Sequence, residues 1–135
     1  MSGVEKRPPD DGAVDLVITF FYYRDLAGAM AFYENVMGFS LAIDQGWSKI
    51  YTIGGNAHVG LVDQSKGMHK AGADKPVQLC IRVGDVDAWY DYLKACEVSN
   101  LSELFVNDGL GIRAFVFDDP EGYQIEMQTA TRAGA

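Results

Sequence analysis

Glu126 is the side chain of this sequence best placed to do chemistry. It belongs to the stretch Asp119-Pro120-Glu121-Gly122-Tyr123-Gln124-Ile125-Glu126-Met127-Gln128. Asp-Pro followed by Gly dictates a tight turn, with Pro holding φ near about −65° and Gly free to take positive φ. The alternation after the turn reads as a strand. Gln124, Glu126 and Gln128 then share one face, while Ile125 and Met127 share the other. An acid in a polar strip above a packed face could ligate a metal or move a proton. His58 has the chemistry of a base, yet spacing places no Ser, Cys or carboxylate beside it, which favours a binding or structural role. His69 lies in a polar connector and is expected to be solvated.

The elements that would position these groups follow from the patterning. Residues 1–13 form a polar lead containing Pro8-Pro9, expected to fray, and ordered structure is expected from Val14. Val17 to Tyr23 is rich in β-branched and aromatic residues, as a strand is. Asp25 reads as an N-cap for a helix whose apolar residues, from Leu26 to Met37, recur at helical spacing up to a C-capping Gly38. Strands are predicted for Ser40 to Ile43, Trp47 to Ile53 and Ala57 to Val62, completing a βαβββ module over residues 14–62. A polar connector, 63–76, leads to a second module over 77–129. That module comprises a strand from Val77 to Val83, a helix from Asp85 with Val86, Trp89, Tyr90 and Leu93 as its apolar stripe, weak strands near Val98 to Leu101 and Leu104 to Val106, a clear strand from Ile112 to Phe117, and the strand of Glu126. Residues 130–135 are expected to be a flexible C-terminus. Laying Tyr23-Arg24-Asp25-Leu26 over Val83-Gly84-Asp85-Val86 superposes the two modules at an offset of about 60 residues, the mark of an internal duplication.

Composition bounds the function. The 135 residues suffice for one domain that buries roughly two thirds of its unfolded surface. No apolar run reaches the roughly 18 residues needed to cross a bilayer, and the N-terminus has no apolar signal core, so a soluble, cytoplasmic protein is expected. A net charge of −8 argues against nucleic acid and anionic membrane and for a neutral or cationic small ligand. Cys80 and Cys96 lack C-x-x-C spacing and read as two buried small hydrophobes.

Together, the duplication, the Asp119–Gln128 stretch, Arg24-Asp25-Leu26 with Ala31-Phe32-Tyr33-Glu34-Asn35-Val36-Met37-Gly38-Phe39, and Val83-Gly84-Asp85-Val86-Asp87-Ala88 resemble the vicinal oxygen chelate superfamily of glyoxalases, extradiol dioxygenases, fosfomycin-modifying enzymes and bleomycin-resistance proteins. The resemblance runs from about Val14 to Thr129. It implies an α+β fold in which two tandem βαβββ modules form a curled mixed sheet around one cleft, usually in a homodimer. Enzymes of the superfamily hold a divalent metal with four strand residues. Carried onto this chain, those positions are Ile18, Gly60, Gln78 and Glu126. Isoleucine and glycine offer no side-chain ligand, and one carboxylate with one amide is too few for Zn²⁺ or Fe²⁺. No metal, no cofactor and no catalytic residue is therefore expected, and Glu126 reads as a relic hydrogen-bonded within the cleft.

Strand parity with those four positions assigns the cleft lining. Ile18, Phe20 and Tyr22 face it from the first strand; His58, Gly60 and Val62 from another; Gln78, Cys80 and Arg82 from the first strand of module two. Trp47 and Tyr51 share a strand face and are assigned to the cleft, and Gly60 is expected to open room in it. Rings with a few polar ends suit a flat, largely apolar ligand. The expectation is a non-catalytic protein similar to the bleomycin- and enediyne-resistance proteins. It would sequester an aromatic antibiotic (anthraquinone-like, enediyne or glycopeptide) on Phe20, Tyr22 and Trp47, with polar contacts from His58, Gln78, Arg82, Arg113 and Glu126. The rival is a metal-dependent lyase, isomerase or dioxygenase using Gln78, Glu126 and His58; a scaffold module with no small ligand is a third possibility.

Overall fold

The computed structural model describes residues 6–10, 12 and 14–135. The expectation for the N-terminal lead falls partly on residues 1–5, 11 and 13, outside the described residues. Strand β1 (Val17–Tyr23) is followed by helix α1 (Leu26–Ala31), which widens into a π-helical turn over Phe32–Val36. Strands β2 (Ser40–Asp44), β3 (Ser48–Gly54) and β4 (Ala57–Asp63) complete the first module. The second comprises β5 (Gln78–Arg82), helix α2 (Val86–Ala95), β6 (Phe105–Asn107), β7 (Ile112–Asp118) and β8 (Gln124–Ala130). The predicted strand at Val98 to Leu101 is reduced to a single bridge between Ser99 and Asp118, because the next contacts with β7 run through Ser102, whose side-chain Oγ takes the Val116 N–H that a ladder carbonyl would take.

The duplication is exact in topology. One sheet runs β1-β4-β3-β2 and the other β5-β8-β7-β6, and in each the first and last strands of the module pair in parallel. The strand-to-helix step repeats too. Asp25 accepts from the Gly28 N–H at 3.0 Å and Asp85 from the Ala88 N–H at 3.0 Å, each satisfying a donor that the first helical turn leaves free. Gly38, with φ +73°, ends the first helix in the left-handed region.

Each sheet turns one face to the helices. Phe21, Tyr23, Tyr51, Val59 and Leu61 from the first sheet and Phe115, Phe117, Ile125 and Met127 from the second join Tyr33, Met37, Val86 and Leu93 in one continuous core. The Asp119-Pro120-Glu121-Gly122 turn locks the modules together. The Tyr123 ring stacks on Phe21 at 4.3 Å, and its hydroxyl accepts from the Tyr22 N–H and donates to the Tyr22 carbonyl. Glu121 accepts from the N–H groups of Arg24 and Asp25 at the head of α1. The sheets themselves are not closed on one another. No helix among the described residues is long and apolar enough to cross a membrane.

Candidate functional site

Strand register fixes the opposite, open faces. On the first sheet Ile18, His58 and Thr52 form one row, Phe20, Gly60 and Ile50 the next, and Tyr22, Val62 and Ser48 the third. Two rows bear a ring. Phe20 lies over Gly60 so closely that a Cβ built there would stand 2.4 Å from the ring, and Ile50 is fully covered beneath it. Gly60 therefore does not open a space. The room left by its missing side chain is filled by Phe20, which gains contact area at no backbone cost.

Beside this ring is a pocket of about 180 Å³ lined by Phe20, Tyr22, Gln45, Trp47, Ser48, Val62, Gly67 and Met68. Trp47 precedes β3, and its carbonyl accepts from the Asp63 N–H, which anchors the residue at the pocket mouth. The connector after β4 passes over the third row. Gly67 allows the close approach, because a Cβ there would meet Val62 at 2.7 Å and Tyr22 at 2.9 Å. His69 meets the Tyr22 ring edge-on at 5.4 Å, so this exposed histidine has a partner. His58 directs Nδ1 to the Asn56 carbonyl at 2.9 Å. The one buried side-chain polar atom with no hydrogen-bond partner among the described residues is Ser48 Oγ, which lines the aromatic pocket.

The open face of the second sheet is a polar ladder. Gln78 Nε2 donates to Gln124 Oε1 at 2.6 Å, Cys80 Sγ approaches Glu126 Oε2 at 3.8 Å, and Arg82 Nε donates to Gln128 Oε1 at 2.7 Å. Gln128 Nε2 also donates to Glu126, and Arg82 reaches the Ala135 carbonyl. Partial burial pushes the Cys80 thiol pKa up, and the charge of Glu126 adds to it. Both cysteines are exposed, against the expectation of buried ones. Cys80 stands on this open face and Cys96 caps the end of α2.

Two assigned site residues point elsewhere. Tyr51 pairs with Val59 on the helix side, is fully buried, and donates its hydroxyl to Glu34 at 2.7 Å. The strand begins only at Ser48, so Trp47 lies outside the pleat and does not share its face. Arg113 is on the helix side of β7, where it forks onto Asp87 of α2 at 2.6 and 3.1 Å and holds that carboxyl below the usual range. Among the rest, Phe20, Tyr22 and Trp47 converge on one pocket. His58 lies a row away, and Gln78, Arg82 and Glu126 occupy the other sheet. Sequence reasoning missed Ser48, Gln45, Gly67 and Met68. Met68, alone and apolar in a polar connector and 89% exposed, was the one available signal.

The four family metal positions do not fit a metal. Phe20 occupies the space above Gly60, Ile18 lies against it, and Glu126 is engaged by Gln128 and Cys80. Among the described residues no three His, Cys, Asp or Glu side chains are grouped to hold an ion. A larger polar cavity of about 340 Å³ lies between Arg24, Ala71 to Ala73, Lys75 and Glu121, but Glu121 there is committed to the backbone of α1.

No curated protein matches the chain. Among solved structures it is similar to a lactoylglutathione lyase from Agrobacterium tumefaciens (23% identity, TM-score 0.70, covering 96% of this chain and 100% of that one). It is also similar to TioX from Micromonospora sp. ML1 (19%, 0.70, 87% and 99%) and to the genomically encoded fosfomycin resistance protein FosX from Listeria monocytogenes (15%, 0.69, 88% and 95%). These likenesses establish the fold. A family model matches residues 15–127, and with it the chain belongs to the Glyoxalase/Bleomycin resistance protein/Dioxygenase superfamily.

Proposed function

We propose that this protein binds a flat aromatic small molecule without transforming it, and that it serves to sequester an antibiotic. The observation that carries the reading is the convergence of Phe20, Tyr22 and Trp47 on one pocket, with Phe20 and Trp47 42% and 45% exposed. Large rings half open to solvent lose little conformational freedom on stacking against a ligand. The net charge of −8 favours a cationic or amine-bearing compound. A lyase and a fosfomycin resistance protein are both among the similar structures, so the fold alone does not choose the activity, and the reading rests on the pocket.

The reading includes a homodimer. Leu41 and Ile43 on β2 and Phe105 and Val106 on β6 leave apolar surface at both sheet edges. A homodimer would cover these edges. The expected interaction is tested by titrating a Trp89→Phe variant, in which Trp47 is the sole tryptophan, with anthraquinone, enediyne and glycopeptide compounds while following fluorescence. Quenching by at least one class supports sequestration; a folded protein indifferent to all of them refutes it. Metal analysis separates the enzymatic rival, for which stoichiometric divalent metal lost on Glu126→Ala is the signature.

A further inference from the structure

Met68 is the most exposed large apolar side chain among the described residues, at 89%, and it stands on the wall of the aromatic pocket. The backbone on either side of it is held. Gly67 donates its N–H to the Asp63 carbonyl at 3.0 Å and lies so close to the sheet that a Cβ there would collide with Val62 and Tyr22. His69 meets the Tyr22 ring edge-on at 5.4 Å, and the Ala71 N–H donates to the Gln64 side chain at 3.0 Å. Position 68 is thus fixed at the pocket while its thioether touches almost nothing. One exposed apolar residue needs no explanation, but Phe20 and Trp47 are half open on the same wall, so the three form one exposed apolar patch. Tyr22, Gln45, Ser48, Val62 and Gly67 complete the wall, and none of the lining side chains carries a charge. The pocket measures about 180 Å³. A dry apolar cavity of about 150 Å³ takes one benzene. A flat ligand of several rings therefore fills the pocket with one of them, and the rest extends past the mouth, where Met68 stands.

We infer that Met68 is a specificity-determining contact of this pocket: a fused-ring ligand seats one ring among Phe20, Tyr22 and Trp47, and the Met68 thioether folds over the ring that extends beyond them. This rests on the aromatic-pocket reading above and sharpens it from aromatic compounds in general to fused-ring systems. Sulfur against an aromatic ring is a favourable contact, and an unbranched side chain with three rotatable bonds follows the outline of the ring it covers. Because the flanking backbone is already tethered, closing over the ligand takes side-chain rotation alone and no ordering of the connector.

Doxorubicin, whose flat part is a fused anthraquinone, and toluene, a single ring, test the inference on the full chain. Binding is read from the Trp47 indole N–H and the Met68 methyl by NMR, the latter being the methionine methyl signal that vanishes in Met68→Ala. With doxorubicin the Met68 methyl should move upfield, as a group lying over a ring face does, and Met68→Ala should weaken binding about two- to tenfold, the worth of one sulfur–ring contact. Met68→Leu, of similar volume, should recover most of that loss. Toluene should leave the Met68 methyl in place. If doxorubicin moves Trp47 but leaves the Met68 methyl unshifted, or binds Met68→Ala as tightly as the wild type, the Met68 contact is overturned and the aromatic pocket stands. A Met68 methyl that moves as far with toluene as with doxorubicin overturns the fused-ring assignment. If neither probe moves Trp47 in a folded wild type, the pocket reading fails and the Met68 contact with it.

Discussion

The carboxylate of Asp119 and the hydroxyl of Tyr23 meet at 2.5 Å in the middle of the core, joining the turn of the second module to the first strand of the first. Asp119 Oδ2 also accepts from Tyr33 at 2.9 Å, and Oδ1 accepts from the N–H groups of Glu121 and Tyr123. Four donors thus converge on one buried side chain. The turn that most resembles an active-site motif is the clasp that holds the two modules in register.

Removing that acceptor should be costly. In Asp119→Ala two backbone N–H groups lose their partner and the phenols of Tyr23 and Tyr33 keep only their 3.3 Å contact with each other, and each stranded donor costs about 1–3 kcal/mol. With some relaxation and water entry, about 3–5 kcal/mol of stability should be lost, whereas Tyr33→Phe, which removes one donor only, should lose about 1 kcal/mol. Urea denaturation measures both. Equal midpoints for Asp119→Ala and the wild type would show that the clasp contributes nothing.

The same cluster sets the alkaline limit of the fold. Burial, reinforced by the neighbouring Tyr33 and Asp119, pushes the Tyr23 hydroxyl well above its ordinary value; burial does the same for Tyr33 and, helped by Glu34, for Tyr51. In the unfolded chain these phenols ionise near about pH 10. Above that pH the unfolded state binds fewer protons than the folded one, so stability falls as pH rises. Below it the contribution is complete. Thermal melts should be flat in this respect between pH 7 and 9 and fall above about pH 10, with a slope reduced by about 1.4 kcal/mol per pH unit in Tyr23→Phe compared at equal starting stability.

What was legible in the sequence was what repeats. Period-2 alternation and the Asp-capped strand-to-helix step occur twice, so β1, α1, β5 and α2 could be placed and the duplication seen. Parity then put Phe20 and Tyr22 on the open face. The site assignment failed at Tyr51 and Arg113 for different reasons. Trp47 lies before the pleat begins, so its parity with Tyr51 has no meaning. Arg113 lies on β7, which holds none of the four metal positions that set parity, and a long charged side chain on the helix side can escape burial by pairing with the exposed Asp87 of α2. Ser48 was invisible because an unpaired hydroxyl is a property of three-dimensional surroundings, not of residue type.

Gly60 and Phe20 give a steric test of the pocket. A Cβ at Gly60 would stand 2.4 and 2.5 Å from two atoms of the Phe20 ring, and the residue has no positive φ to oppose a side chain. Gly60→Ala should fold, since Phe20 is 42% exposed and can swing outward. Its ring would then leave the pocket wall. The expected outcome is a loss of aromatic-ligand affinity about as large as in Phe20→Ala, on the order of tenfold for one lost ring contact. Unchanged affinity in Gly60→Ala would mean that Phe20 does not shape the site.

The Cys80–Glu126 pair allows the electrostatics of the polar ladder to be read directly. Burial raises the thiol pKa most, and the Glu126 carboxylate 3.8 Å away raises it further by opposing the thiolate. Arg82 pulls the other way. Because the thiolate is the reactive form, Cys80 in the wild type should alkylate slowly near neutrality. Neutralising the carboxylate in Glu126→Gln removes one of the opposing causes and leaves burial in place. The apparent pKa for alkylation of Cys80 should therefore fall towards, but not below, that of an ordinary thiol. Iodoacetamide modification against pH, followed for Cys80 in a Cys96→Ser background, measures it. Were the profile of Glu126→Gln to coincide with that of the wild type, the side chains would not be neighbours in solution, and the ladder on the second sheet would have a different arrangement.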